Sequence, residues 1–113
     1  MKEFLLLFRG EYKAMPQGDP AEWQAMAKKW QDWIGGIAAQ NKWLAAGQQL
    51  SPDGKVVRPN GVITDGPYTE IKETLIGYCT IKAESAEEAA DLAKGCPILT
   101  IGGNVEVREM SVS

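Results

Sequence analysis

The sequence predicts a single α+β domain of the ferredoxin-like type: split β-α-β halves, an inserted β-hairpin and one four-stranded antiparallel sheet. A chain of 113 residues suits one hydrophobic core, so residues 1–113 are expected to form one domain. Capping-box patterns begin helices after Asp19 and Ser85. Apolar runs around those helices give the order strand, helix, strand with a small hairpin, strand, helix, strand.

The first strand and the first helix carry the strongest patterns. Residues 4–8 are continuously apolar, as in a strand buried on both faces. The helix has Asp19 as its N-cap and Pro20 at its first position, and Gly47 is the expected stop. Gly35 and Gly36 interrupt it, which predicts that a backbone or bulky side chain packs close there. Its apolar residues recur at helical spacing, which predicts packing on the sheet; they are Trp23, Met26, Trp30, Trp33, Ile34, Ile37 and Leu44.

The second half begins with a turn and a hairpin. Asn60-Gly61 lies between two β-rich runs, residues 55–58 and 62–64, which is a strong hairpin pattern. Asp65-Gly66-Pro67 is expected to break the second of these runs. The later elements are a strand at 75–83, a short helix after Ser85 that Gly95 and Pro97 end, and an alternating strand at 105–108.

Composition excludes several functions. Twelve basic and fifteen acidic residues give a net charge of −3, and there is no histidine, which excludes imidazole bases and His-ligated metals. The acidic residues are too scattered for a carboxylate metal site, so no metal and no cofactor are expected. An acidic chain without aromatics in a basic run predicts no nucleic-acid binding. No apolar run is long enough for a membrane span or a signal peptide, which predicts a cytoplasmic protein.

The two cysteines predict little chemistry. Cys79 and Cys96 lie 17 positions apart without a C-x-x-C motif, so reduced thiols are expected. Cys79 falls in an apolar run and is interpreted as a small core residue. Cys96, between Gly95 and Pro97, is expected to be the more exposed of the two, and a reactive role for it is the less favoured interpretation.

The first strand also predicts assembly. Phe4, Leu6 and Phe8 should point to one face of the sheet, and Leu5 and Leu7 to the other. Two helices cover only one face, so the second would expose a large apolar patch. A second copy is the simplest cover, which predicts an obligate homodimer burying about 2,000 Å².

A resemblance to a known family rests on several stretches, listed here: Asp65-Gly66-Pro67-Tyr68-Thr69-Glu70-Ile71-Lys72-Glu73, Gly77-Tyr78, residues 93–99 and 105–108, and the opening residues 1–10. Together they resemble the YCII-related (DGPF) family across essentially the whole chain. The resemblance implies a dimeric α/β-barrel in which two ferredoxin-like sheets pack face to face. It also implies a His–Asp pair in a cleft. Asp65 matches the aspartate, but Met26 stands where relatives carry histidine, so this chemistry cannot operate unchanged.

Five residues are candidates for a site, each with a structural alternative. Asp65 is the candidate catalytic acid or base, and its alternative is a turn-forming side chain. Arg9 and Tyr12, at the end of the first strand, and Tyr68 and Lys72, after the turn, are the candidate ligand-binding residues. For these four the alternative is an ordinary ion pair or a solvated surface.

The sequence therefore predicts a homodimeric domain that binds a small aromatic or acidic metabolite. Its candidate activity is that of a cofactor-independent lyase or isomerase. The alternative is a non-catalytic interaction module with a regulatory protein partner. The resemblance suggests an extracytoplasmic-function sigma factor, because some members of the family are encoded beside, or fused to, such factors. An enclosed cleft beside Asp65 would favour the first function, and a flat or plugged surface the second.

Overall fold

The computed structural model describes residues 1–66 and 73–110. Its main sheet is four-stranded and antiparallel, with strand order β2-β5-β1-β6, and two helices complete the ferredoxin-like α+β fold. The elements in chain order are β1 (Lys2–Gly10), α1 (Pro20–Ala39), β2 (Trp43–Gln49), β3 (Gly54–Val57), β4 (Ile63–Gly66), β5 (Thr74–Ala83), α2 (Ala86–Ala93) and β6 (Asn104–Glu109). In the described parts of the chain no helix is both long and apolar enough to cross a membrane.

The central strand β1 separates the two faces of the sheet as its pattern predicts. Phe4, Leu6 and Phe8 are buried, whereas Leu5 and Leu7 between them are half-buried on the opposite face. The buried side is covered by Ile37 of α1, by α2, and by the 3-10 turn Pro97–Ile101. The hydrophobic core therefore lies on one side of the sheet only.

The helix starts agree with the capping patterns. The Asp19 carboxylate accepts a hydrogen bond from the Ala21 N–H at 2.9 Å, and the Ser85 hydroxyl accepts one from the Glu88 N–H at 3.2 Å. Short polar side chains at these positions satisfy N–H groups that the first helical turn leaves unpaired.

The predicted end of the first helix is wrong. Helix α1 stops at Ala39, and Asn41 takes a left-handed backbone conformation (φ 60°) that turns the chain back towards the sheet. Trp43 and Leu44 therefore belong to β2, the second strand of the main sheet, where Trp43 pairs with Ile81. Gly47 lies in this strand rather than ending the helix. A glycine is needed there because a Cβ atom would collide with Tyr78.

Two smaller expectations are also wrong. Gly35 and Gly36 face open space, since a Cβ atom at either position would have no neighbour within 4 Å among the described residues. Cys96 is 1% exposed rather than surface-accessible, and burial raises the pKa of its thiol to about 12. A thiol with that pKa is protonated at neutral pH, which removes the reactive interpretation.

The predicted hairpin forms, but outside the main sheet. Within residues 1–66 and 73–110, strands β3 and β4 pair only with each other, and the turn Pro59–Gly61 joins them with Asn60 in a left-handed conformation. Three of its apolar side chains are exposed: Val57 to 70%, Val62 to 53% and Ile63 to 64%. The hairpin therefore extends from the domain instead of contributing to its core.

Candidate functional site

A cavity of about 390 Å³ lies between α1 and the sheet. It is lined by α1 from Trp23 to Ile34, by β2 and β5, and by single residues of β1, of the loop before α1 and of the turn after α2. Its aromatic and methionine residues are Phe8, Met15, Trp23, Met26, Trp30, Trp43 and Tyr78. This volume and lining are typical of small-molecule sites, which are concave and mostly apolar.

The cavity exists because α1 packs closely on the sheet only near its end. Ile37 is 2% exposed, whereas Trp23, four turns earlier, is 39% exposed. Trp23, Met26 and Trp30 share one helix face because they lie three or four residues apart. That face is turned towards the sheet but stands off from it, so its side chains line a gap instead of filling a core.

Interlocked aromatic rings form one wall of the cavity. The Phe8 ring meets the Trp30 ring edge-to-face at 5.0 Å between centroids, and Trp33 contacts both of them. Trp33 is held by a 2.8 Å hydrogen bond from its indole N–H to the Leu92 carbonyl, and it also meets Trp43 edge-to-face at 6.3 Å. Such pairs are the preferred aromatic geometry and fix ring orientation. The wall is therefore rigid and presents ring surfaces to a ligand.

The polar part of the lining is uncharged. Three glutamines, Gln31, Gln48 and Gln49, are its amide-bearing members, and no Asp, Glu, Lys or Arg occurs among the lining residues that the structure describes. Burial raises the pKa of the Cys79 thiol to about 12, helped by the nearby Cys96, so this lining thiol is neutral at pH 7. The lining thus suits a flat, uncharged group with a few hydrogen-bonding atoms.

Asp65 does not lie among the described lining residues of the cavity. It is in β4 of the hairpin, its side chain is 86% exposed, and it forms a 2.5 Å ion pair with Lys55. The partial burial that would make it a cleft carboxylate is therefore not present within a single chain.

Arg9 and Tyr12 have partners of their own. Arg9 donates to the Glu106 carboxylate and to the Glu73 carbonyl, each at 3.2 Å. Tyr12 donates its hydroxyl hydrogen bond to the Leu50 carbonyl, and burial raises its pKa. Tyr68 and Lys72 lie outside the described residues. The structure does not bring Asp65, Arg9 and Tyr12 together at the cavity, and their roles in binding or catalysis stay predictions.

Sequence reasoning missed the residues that do line the cavity. The tryptophan and methionine spacing in α1 is visible in the sequence, but it is equally typical of a helix packed on a sheet. Met15, Gln48 and Ile98 come from three separate segments, and no sequence pattern connects them. Three Cys, Asp or Glu side chains placed to hold a metal ion are not found in residues 1–66 and 73–110.

The fold and the cavity define a ferredoxin-like domain with a ligand-sized apolar site. A family model for the YCII-related domain matches residues 4–111, and the chain belongs to that family. No protein with a curated description matches the sequence. Among solved structures, the chain is similar to 5-chloro-2-hydroxyhydroquinone dehydrochlorinase from Burkholderia phenoliruptrix in complex with 2,5-dihydroxybenzoquinone, at 14% identity and a TM-score of 0.42, covering 97% of this chain and 95% of the other.

Proposed function

We propose that this YCII-related domain binds a small, flat aromatic molecule in the cavity between α1 and the sheet. The observation that carries the proposal is the cavity itself: about 390 Å³, walled by edge-to-face aromatic rings and methionines. An aromatic ring that loses about 150 Å² of exposed surface there gains roughly 4 kcal/mol from the hydrophobic effect. Further ring–ring contact with Trp30 and Phe8 adds geometric selectivity.

The lining favours binding over proton transfer. Cys79, with its raised pKa, is no base at neutral pH, and the lining carboxamides neither gain nor lose protons. A lyase or isomerase activity therefore requires a group from elsewhere to reach the ligand, with Asp65 as the candidate. That activity, its regulatory alternative and the cytoplasmic location stay predictions.

The binding proposal is tested by narrowing the cavity. Ala27 and Ala46 line it, so Ala27→Leu and Ala46→Leu each add three carbons to the space that a ligand would occupy. Isothermal titration calorimetry with 2-naphthol should show at least about ten-fold weaker binding, or about 1.4 kcal/mol, for either variant. The matched control is Ala38→Leu, because Ala38 is exposed on the same helix and outside the lining.

The proposal fails if 2-naphthol does not bind the parent protein. It also fails if Ala27→Leu and Ala46→Leu both bind with the affinity of the parent, because binding would then occur elsewhere. Each variant should keep the parent's far-ultraviolet circular dichroism, which separates a blocked cavity from a misfolded chain.

We also propose that a second copy of the chain covers the open face of the sheet. Leu5 and Leu7 are only half-buried there, and Tyr78, opposite Leu7 on β5, is 37% exposed. A two-fold arrangement would let this face cover itself. The face also carries charged side chains on β6, which would need partners within such an interface.

A further inference from the structure

A second depression, of about 450 Å³, adjoins the cavity along α1. It is bounded by residues 13–17 of the loop before α1 and by Glu22, Ala25, Met26 and Lys29 of the helix. Those four helix residues follow the i, i+3, i+4, i+7 spacing of a single helix face. Met15 and Met26 line both the depression and the cavity.

The two spaces therefore meet at a pair of methionines. Met15 comes from the loop and Met26 from the helix, and both are half-buried. Methionine side chains are unbranched, with three rotatable bonds, and repack at small cost. A ligand substituent a few atoms long can therefore pass from the cavity into the depression when the Met15 and Met26 side chains move, without a change in the backbone.

The charges of the two spaces differ sharply. The cavity has no charged residue among its described lining, whereas the depression has Lys13, Lys29 and Glu22. Within residues 1–66 and 73–110, neither lysine has a carboxylate within ion-pairing distance. By contrast Lys28, next to Lys29, is paired with Asp32 at 3.3 Å.

We propose that the ligand of the cavity is an aromatic compound with a short acidic side chain, whose carboxylate is bound by Lys13 and Lys29. This inference rests on the proposed function and names the ligand class for the same site. The aromatic body occupies the cavity, the side chain crosses between Met15 and Met26, and the anion meets two ammonium groups that lack another partner in the described chain. Glu22, on the same wall, opposes the anion and limits its affinity.

The test compares two probes with the same ring and tail length, one ending in a carboxylate and the other in a neutral hydroxyl group: 3-(2-naphthyl)propanoate and 3-(2-naphthyl)propan-1-ol. Calorimetry at low ionic strength should show the acid binding about two- to five-fold more tightly, as expected for exposed charge pairs. Lys13→Gln and Lys29→Gln should each reduce that advantage, and Glu22→Gln should increase it. Salt near 1 M, with a Debye length of about 3 Å, should abolish it.

Lys28→Gln is the matched control, because it removes the same charge one residue away from Lys29 and outside the depression. If it lowers the acid's advantage as much as Lys29→Gln does, the attraction is general and the inference is overturned. Equal affinity of both probes for the parent protein also overturns it, while leaving the proposed function intact. If neither probe binds although 2-naphthol does, this inference fails alone, and if 2-naphthol does not bind either, both proposals fail. These lysines are exposed, so unchanged melting temperatures are expected in the three lysine variants.

Discussion

The Glu106 side chain on β6 binds two arginine side chains. Its two carboxylate oxygens accept hydrogen bonds from Arg108 at 3.1 Å and from Arg9 at 3.2 Å. Those two guanidinium groups, Arg108 foremost, lower the pKa of Glu106. The network joins β1 to β6, so Arg9 has a structural role whatever else it does.

This lowered pKa predicts how stability depends on pH. A carboxyl group whose pKa is lower in the folded chain contributes stability above its unfolded pKa, and loses it as pH falls through the folded pKa. Glu106→Gln should therefore be less stable than the parent at pH 7, and the difference should shrink at pH 3. Urea unfolding at both values measures it, with Glu109→Gln as the control because its ion pair with Lys2 is longer, at 3.7 Å. A difference that is the same at both pH values would contradict the assignment.

Asp65 can be tested as a ligand-facing group or a surface residue. Its ion pair with Lys55 is exposed, so Asp65→Asn should change the free energy of unfolding by less than about 0.5 kcal/mol. Lys55→Met breaks the same pair and keeps the carboxylate. If Asp65 meets the ligand, only Asp65→Asn will reduce the rise in melting temperature that 2-naphthol causes. Equal responses in the two variants would leave Asp65 with a surface role.

At the scale of elements, adding a side chain at a glycine of α1 and at a glycine of β2 should have opposite effects on stability. Gly36 is an exposed helical residue with open space around it, so Gly36→Ala should stabilise the protein by about 0.5–1 kcal/mol through helix propensity. Gly47→Ala should destabilise it, because the new Cβ would collide with the Tyr78 backbone and ring. Chemical denaturation of both variants measures the two effects. A loss of stability in Gly36→Ala would mean that something absent from the single chain packs there.

The elements also show which local patterns predict structure. The hairpin, the caps at Asp19 and Ser85 and the alternation along β1 were predictable, because each depends on neighbours in sequence. The end of α1 was not, because apolar residues keep helical spacing through Leu44 and neither proline nor glycine marks residues 38–42. Asn41 makes the turn, and pairing of Trp43 with β5 then outweighs the helical pattern.

At the scale of the whole molecule, the sequence indicated the fold but not the site. The predicted number of sheet strands is right, but the second of them is Trp43–Gln49 and not a run within residues 55–64. The cavity depends on how far α1 stands from the sheet, and on Met15 and Ile98 meeting across it. Tilt and long-range contacts of that kind leave no local pattern in a sequence.

The half-buried leucines of β1 predict assembly. Sedimentation at low micromolar concentration should give about twice the chain mass of 12.3 kDa. Leu7→Lys places a charge on the open face and should shift the protein towards monomer. Ala38→Lys is the control, because it adds the same charge at an exposed position of α1, away from the open face. A monomeric parent protein that binds no hydrophobic dye would contradict the dimer proposal.

The hairpin of β3 and β4 offers a site for inserting a label into this protein. Strands β3 and β4 take no ladder hydrogen bonds from the main sheet, and their turn Pro59–Gly61 is exposed. Exposed turns of this kind are preferred places for inserted sequence. An epitope tag or a fluorophore attachment site can therefore be built between Asn60 and Gly61, where it labels the molecule without touching the cavity wall or the four-stranded sheet.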